Sequence, residues 1–221
     1  MANYFKQLPN FEYVSRLPDS KISDFIEVKN LFKRGLLRED IFQNLAFFTK
    51  YKIRNNDRPD NVAFDFYEDS NLDWLVLVCN NIINIQTEWP MDQNDLDAYL
   101  LDKYGNYESL YSGIHHYETT EVRDNQNIVI VPEGLQVESD YQITFYDNDL
   151  ETQVTKTPVK SVTNYEYENL IEDNKRNIFL LKPEYINVVK DDMEEIMTYR
   201  KGSTQYMSGT LKKGDNIRLY Q

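Results

Sequence analysis

The spacing of apolar residues changes character twice along this chain, which excludes an all-helical and an all-β fold together. After Pro18-Asp19, the residues Ile22, Phe25 and Ile26 share one helical face, and Leu37, Ile41, Leu45 and Phe48 recur at about 3.6 residues. Phe32-Lys33-Arg34-Gly35 interrupts the two stretches. From His115 to Val162 the pattern becomes β. Ile128-Val129-Ile130-Val131 ends in the turn signal Pro132-Glu133-Gly134, Tyr141–Tyr146 is strand-forming, and Val154–Val162 supplies a strand edged by Pro158. Polar, acidic Asn164–Arg176 then leads to a short strand at Ile178-Phe179-Leu180-Leu181. Pro183 opens a last helix carrying Ile186, Val189, Met193, Ile196 and Met197, ended by Gly202. The expected class is α+β.

The segment between the first helices and the β region is the most ordered in its signals. Tyr51-Lys52-Ile53 alternates as a strand, and Asn55-Asn56-Asp57 reads as a turn. Pro59 suits the first position of a helix, with Asp60 at the positive end of its dipole and Val62, Ala63, Phe66 and Tyr67 on its apolar face. Ser70 and Asp73 have capping-box spacing for a second helix bearing Leu72, Trp74, Leu75 and Val78. Asn80-Asn81 ends that helix, Ile82, Ile83 and Ile85 resume extended structure, and Trp89-Pro90 closes the unit. Asp92 and Asp95 cap a further helix with Leu96, Tyr99, Leu100 and Tyr104 on one face, stopped by Gly105. Four segments follow from this reading: a helical arm over 1–50, a βααβ unit with its following helix over 51–105, a β-rich region over 106–162, and a strand–helix region with a mobile tail over 163–221.

Composition narrows the chemistry. The formal net charge is −13, so a phosphate backbone and an anionic membrane leaflet are poor partners. No apolar h-region or membrane-length apolar run occurs, which points to synthesis in the cytoplasm without export by a signal peptide. With 7 glycines and neither GxxxxGK[ST] nor GxGxxG, no nucleotide loop is expected. The chain has one cysteine, Cys79, in the apolar run Leu72–Cys79, and two histidines, His115 and His116, which are adjacent and therefore expected to diverge. Neither HExxH nor CxxC occurs, so no transition-metal site, cofactor or catalytic residue is assigned. The clusters Asp92/Asp95/Asp97 and Asp191/Asp192/Glu194/Glu195 read as solvated faces. Asp147-Asn148-Asp149-Leu150-Glu151 alternates oxygen ligands as a calcium loop does, but lacks the EF-hand glycine and distal glutamate, and reads as a turn. The 17 tyrosines and 11 phenylalanines suit both a core and a contact surface.

Tyr51–Asn84 resembles a lysin motif (LysM). Val62, Ala63, Tyr67, Trp74, Leu75, Asn80 and Ile82 fall on the positions that form that motif's core. Peptidoglycan-binding members carry Gly-Asp-Thr-Leu at the first turn, where this chain has Asp57-Arg58-Pro59-Asp60. A longer series is similar to the baseplate wedge subunit of contractile-tailed bacteriophages that carries a LysM-like core. It comprises Arg58-Pro59-Asp60, Phe66-Tyr67, Asp73–Leu77, Asn80-Asn81-Ile82, Trp89-Pro90 and Lys103-Tyr104-Gly105. It continues through Val162–Glu168, Asn174–Ile178 and the Ile186–Met197 stretch, and it opens with Tyr4-Phe5, Pro9 and Tyr13.

That resemblance implies a structural, non-enzymatic role in the virion tail. The partners would be other baseplate wedge and hub proteins, six copies would close a ring about the hub, and assembly would take place in the host cytoplasm. Tyr4, Phe5, Phe11, Arg58, Pro59, Trp89, Pro90 and Tyr104 are then the candidate interface residues. Two alternatives stay open: a peptidoglycan-binding LysM module with a groove between Asp57–Asp60 and Asn80–Ile83, and a hydrolase using paired carboxylates.

Overall fold

The computed structural model describes residues 3–15, 17–21, 24–54, 56–148, 150–202 and 204–214. Along the chain come α1 (Asn3–Gln7), β1 (Asn10–Val14), β2 (Phe25–Lys29), α2 (Glu39–Phe42), β3 (Phe48–Lys52), α3 (Pro59–Tyr67), α4 (Asp73–Cys79) and α5 (Ile85–Glu88). The helices α6 (Gln93–Tyr104) and α7 (Tyr107–Tyr111) follow, then β4 (Ile114–Thr119), β5 (Val122–Arg123), β6 (Val129–Val131) and β7 (Gln136–Val137). Next are β8 (Ile143–Asp147), β9 (Thr152–Lys156), β10 (Val159–Thr163) and α8 (Asn164–Lys175). The chain finishes with β11 (Asn177–Leu181), α9 (Ile186–Met197), β12 (Tyr206–Ser208) and β13 (Leu211–Lys213). The class is α+β.

Contacts gather into two units, one made of Met1–Trp89 with Asn177–Gln221 and the other of Pro90–Arg176. The first unit is built on a βααβ arrangement whose two strands lie far apart in sequence. β3 pairs antiparallel with β11, from Phe48 opposite Leu181 to Lys52 opposite Asn177. The expected closing strand at Ile82–Ile85 is therefore corrected: Ile85 starts α5, and the partner of β3 arrives only after the second unit. Ile82 instead packs against the core while Ile83 is exposed. Val62, Ala63, Leu75, Val76, Leu180 and Leu181 are completely buried in that core.

Local chemistry explains the two helices. Pro59 occupies the first turn of α3, where its missing N–H costs nothing. The cap of the next turn is Asp69, whose side chain accepts from Asn71 N–H, in place of the expected Ser70. At the far end Asn80 does three jobs. Its Nδ2 donates to the carbonyls of Val76 (2.8 Å) and Phe179 (2.9 Å), and its Oδ1 accepts from Phe179 N–H (2.8 Å). One side chain thus closes α4 and satisfies the outer backbone groups of β11.

Both chain ends join the same sheet, in the order β12-β13-β1-β2. β2 is a strand where helical spacing was expected, because Phe25–Lys29 pairs along its length with β1, from Asn10 opposite Lys29 to Val14 opposite Phe25. This pairing puts Ile26 and Val28 opposite Tyr13 and Phe11, so cross-strand packing replaces the helical face. Ile22 lies outside the described residues. The described part of the tail is likewise not a free segment: β13 runs parallel to β1, with Asn10 opposite Leu211 and Glu12 opposite Lys213. The helix expected through Leu45 and Phe48 stops at Phe42, since Asn44 caps a separate 3-10 turn at Leu45–Phe47 before β3 begins. α9 ends at Met197 and not at Gly202, because Tyr199 N–H turns to the carbonyl of Gly209 (2.7 Å).

The second unit combines α6, α7 and α8 with the sheet β10-β4-β7 and two separate strand pairs, β5-β6 and β8-β9. α6 is capped by Asp92 and ends on Gly105 at φ +79°, a backbone angle that favours glycine. α8 starts with a capping box formed by Thr163 and Glu166.

Replacing Asn80 by Ala leaves Phe179 N–H and its carbonyl without partners, and we expect a loss of about 2–4 kcal/mol in chemical denaturation. Ile83→Ala, at an exposed side chain outside the bridge, serves as the control.

Candidate functional site

The N-terminal aromatics divide between core and surface. Tyr4 lies over Trp74, with ring centroids 6.0 Å apart, and its hydroxyl accepts from Gly35 N–H (3.2 Å). Gly35 has no room for a side chain, since a Cβ there meets the Met193 thioether at 2.1 Å. Tyr4 therefore pins the 30–38 segment between the core and α9. Phe5 stands edge-on to Tyr4 and is 59% exposed. Phe11 is half-buried on β1. Arg58 is exposed and paired to Asp60 (3.1 Å), while Pro59 is buried beneath it. Trp89 is buried, and its indole N–H donates to the carbonyl of Asp57 (2.9 Å). Pro90 is buried in the second unit, and Tyr104 is half-buried there. Trp74, Val62, Ala63 and Leu75 are buried in the first unit's core, with Tyr67 and Ile82 packed against it and Asn80 bridging α4 to β11.

A cluster that the sequence reading did not assemble lies beside this segment. Phe32 is fully exposed, at 102%. Next to it, Lys33 and Lys212 both approach the buried Tyr199 ring, 4.9 and 5.0 Å from its centroid. The Tyr199 hydroxyl accepts from Asn30 Nδ2 (2.7 Å), and Lys33 Nζ donates to the Thr198 carbonyl (3.1 Å). Burial, followed by repulsion from Lys212 and Arg200, holds Lys33 below its ordinary lysine value. Phe32, Lys33, Tyr199, Arg200 and Lys212 line a shallow cleft of about 470 Å³. On a chain of net charge −13 this is a basic, aromatic patch. The break at Phe32-Lys33-Arg34-Gly35 and the lysine-rich tail were both visible in sequence, but their meeting depends on the β1–β13 pairing.

A second cleft, of about 370 Å³, opens at the first turn of α3 and is lined by Arg58, Pro59, Asp60, Asn71, Asp73 and Trp89 among others.

The second unit buries two carboxylates on α8. Glu168 accepts from Lys103 Nζ and the Tyr104 hydroxyl, both at 2.7 Å. Glu172 accepts from Met91 N–H and from Lys175 Nζ at 2.8 Å. Burial opposes ionisation of Glu168, yet the Lys103 and Tyr104 hydrogen bonds outweigh it and hold the carboxyl below the usual range. Tyr104, partly desolvated and bonded to that carboxylate, is pushed up to about 12. Cys79 is also pushed up by burial to about 12, which suits an inert core thiol. Among the described residues no group of three or more His, Cys, Asp or Glu is placed to hold a metal, and no helix is long and apolar enough to cross a membrane. The expected turn at 147–151 joins β8 to β9, with Asp149 outside the described residues.

The phage family described as "Base plate wedge protein 53" matches residues 4–197. The chain belongs to that family. No curated protein matches the chain significantly. The matched stretch of this wedge protein includes the Tyr4–Trp74 contact, the βααβ core, the whole second unit and α9, and it stops short of Tyr199, Arg200 and Lys212. Half of the basic patch therefore lies beyond the segment that defines the family.

Because the folded-state value of Glu168 is depressed, its contribution to stability is complete above the unfolded carboxyl value, about 4.3, and is lost as pH falls through the lower folded value. Denaturation between pH 7 and 3 should show this acid loss, and Glu168→Gln, less stable at neutral pH, should show a shallower one.

Proposed function

We propose that this chain is a non-enzymatic structural subunit of the phage tail baseplate that joins neighbouring wedge subunits and supports closure of the six-wedge ring around the hub. The observation that carries this reading is the family match across residues 4–197. In support, the first unit leaves Phe5, Leu31, Phe32, Leu36, Phe42 and Leu45 exposed along its N-terminal third. The basic residues around Tyr199 suit an acidic partner face, with attraction that weakens as salt rises. In this reading the βααβ unit is a LysM-like scaffold. Tyr4, Trp74, Trp89 and Asn80 hold it together, and Phe5, Phe11 and Arg58 face partners. Assembly takes place in the host cytoplasm and the product resides in the virion tail.

A second reading, a peptidoglycan-binding LysM module, is favoured by one feature, the cleft beside Arg58, Pro59 and Asp60. The test is complementation of a phage unable to make this chain, with tails inspected by electron microscopy, alongside binding of the purified chain to insoluble peptidoglycan. Closed baseplates restored by the chain, with none retained on peptidoglycan, support the wedge role. Retention on peptidoglycan without restored baseplates overturns it.

Phe32→Ser should change the stability of the isolated chain by less than about 0.5 kcal/mol, because the ring is already in water. Combined with Lys212→Glu, it should still sharply reduce the yield of closed baseplates in the complementation assay.

A further inference from the structure

His115 and His116 are the only histidines in the chain, and neighbouring residues on a regular strand project to opposite faces. In β4 they converge, correcting the expected divergence. Ile114 pairs with Thr163 and His116 with Val162, which leaves His115 as an extra residue in a β-bulge. A bulge breaks the side-chain alternation and re-aims the inserted residue. The two Nδ1 atoms consequently lie 2.9 Å apart.

Each ring is also held from another side. His116 Nε2 is 3.0 Å from Glu118 Oε1, a contact that places a proton on Nε2 and leaves the Nδ1 lone pair facing His115. The His115 ring stacks on Tyr167 of α8, with centroids 3.8 Å apart and planes at 12°. Exposed His115 gives an ion access from solvent, while the His116 side chain is 12% exposed. Glu168, whose carboxylate interacts with His115, is itself paired with Lys103, and Lys160 lies across the sheet from Glu118.

We propose that the His115–His116 pair binds a late first-row divalent metal ion, Cu2+ most tightly, through both Nδ1 atoms. With metal–nitrogen bonds of about 2.0–2.1 Å, nitrogens 2.9 Å apart subtend about 90° at the metal. That is the cis angle of a tetragonal Cu2+ or Ni2+ centre, whereas tetrahedral Zn2+ needs a spacing of about 3.4 Å. The chain supplies two ligands, and the other positions go to water or to a neighbouring chain. Without metal, the same spacing is an N–H···N bond from His115 to His116. Metal entry shifts that proton to His115 Nε2, so the ring stays neutral.

The test is Cu2+ titration of the full chain followed by pulsed electron paramagnetic resonance, which detects the remote ring nitrogen of each coordinated imidazole. One Cu2+ per chain with two coordinated imidazoles is the expected result. His115→Ala and His116→Ala should each remove one imidazole and weaken binding by about tenfold or more, and Glu118→Gln should weaken it by about tenfold with both imidazoles retained. A spectrum of the unaltered chain showing one imidazole or none overturns the proposal without any variant having to fold. Undiminished affinity in either histidine variant overturns it as well.

Discussion

The pairing of β3 with β11 is the constraint on which the first unit depends, because β11 arrives only after the whole second unit has been threaded between Trp89 and Asn177. Closing so long a loop costs chain entropy before any contact rewards it, although that cost grows only slowly with loop length. The reward is concentrated: Leu180 and Leu181 are completely buried, and Asn80 satisfies both the N–H and the carbonyl of Phe179. A βααβ core can therefore be split by an inserted unit and still close, provided the returning strand meets both an apolar floor and a polar latch.

The chain ends follow the same logic. β1 and β13 pair in parallel, so residues near both termini share one sheet, and Tyr4 seats the start of the chain on Trp74. This arrangement orders the 30–38 segment through Gly35 and leaves the Phe32 side chain in solvent. It also brings Lys212 to the Tyr199 ring alongside Lys33, concentrating positive charge on a chain whose net charge is −13. In the proposed wedge role, such a patch would favour an acidic, apolar neighbour through a contact that weakens as salt rises.

The polar interior of the second unit has a different character. Glu168 and Glu172 sit one helical turn apart on α8, and each is matched by a lysine and a second donor, so their burial leaves no carboxylate unpaired. Buried charge of this kind fixes the position of α8 against Lys103 and Tyr104 more than it raises stability. Acidic residues that resembled generic surface in one dimension thus turn out to be organising contacts in three.

What the sequence by itself determined was local. Pro59 opening α3, Asp92 and Gly105 bounding α6, the strands read at 128–131 and 141–146 and seen at Val129–Val131 and Ile143–Asp147, and the apolar faces of α4 and α9 all follow from propensities and periodicities acting over a few residues. Tyr4, Phe5 and Arg58 were visible as candidates for partner contact, but whether each side chain lies in the core or in solvent was not. Only the tertiary structure decided which strand closes the βααβ unit, that Phe25–Lys29 is a strand, and that the tail joins β1. It also decided that His115 and His116 converge. Each of these turns on pairing between distant segments, or on one inserted residue in a ladder. Hydrogen bonds to a remote partner then override the local preference, and a single sequence carries no record of which partner that is.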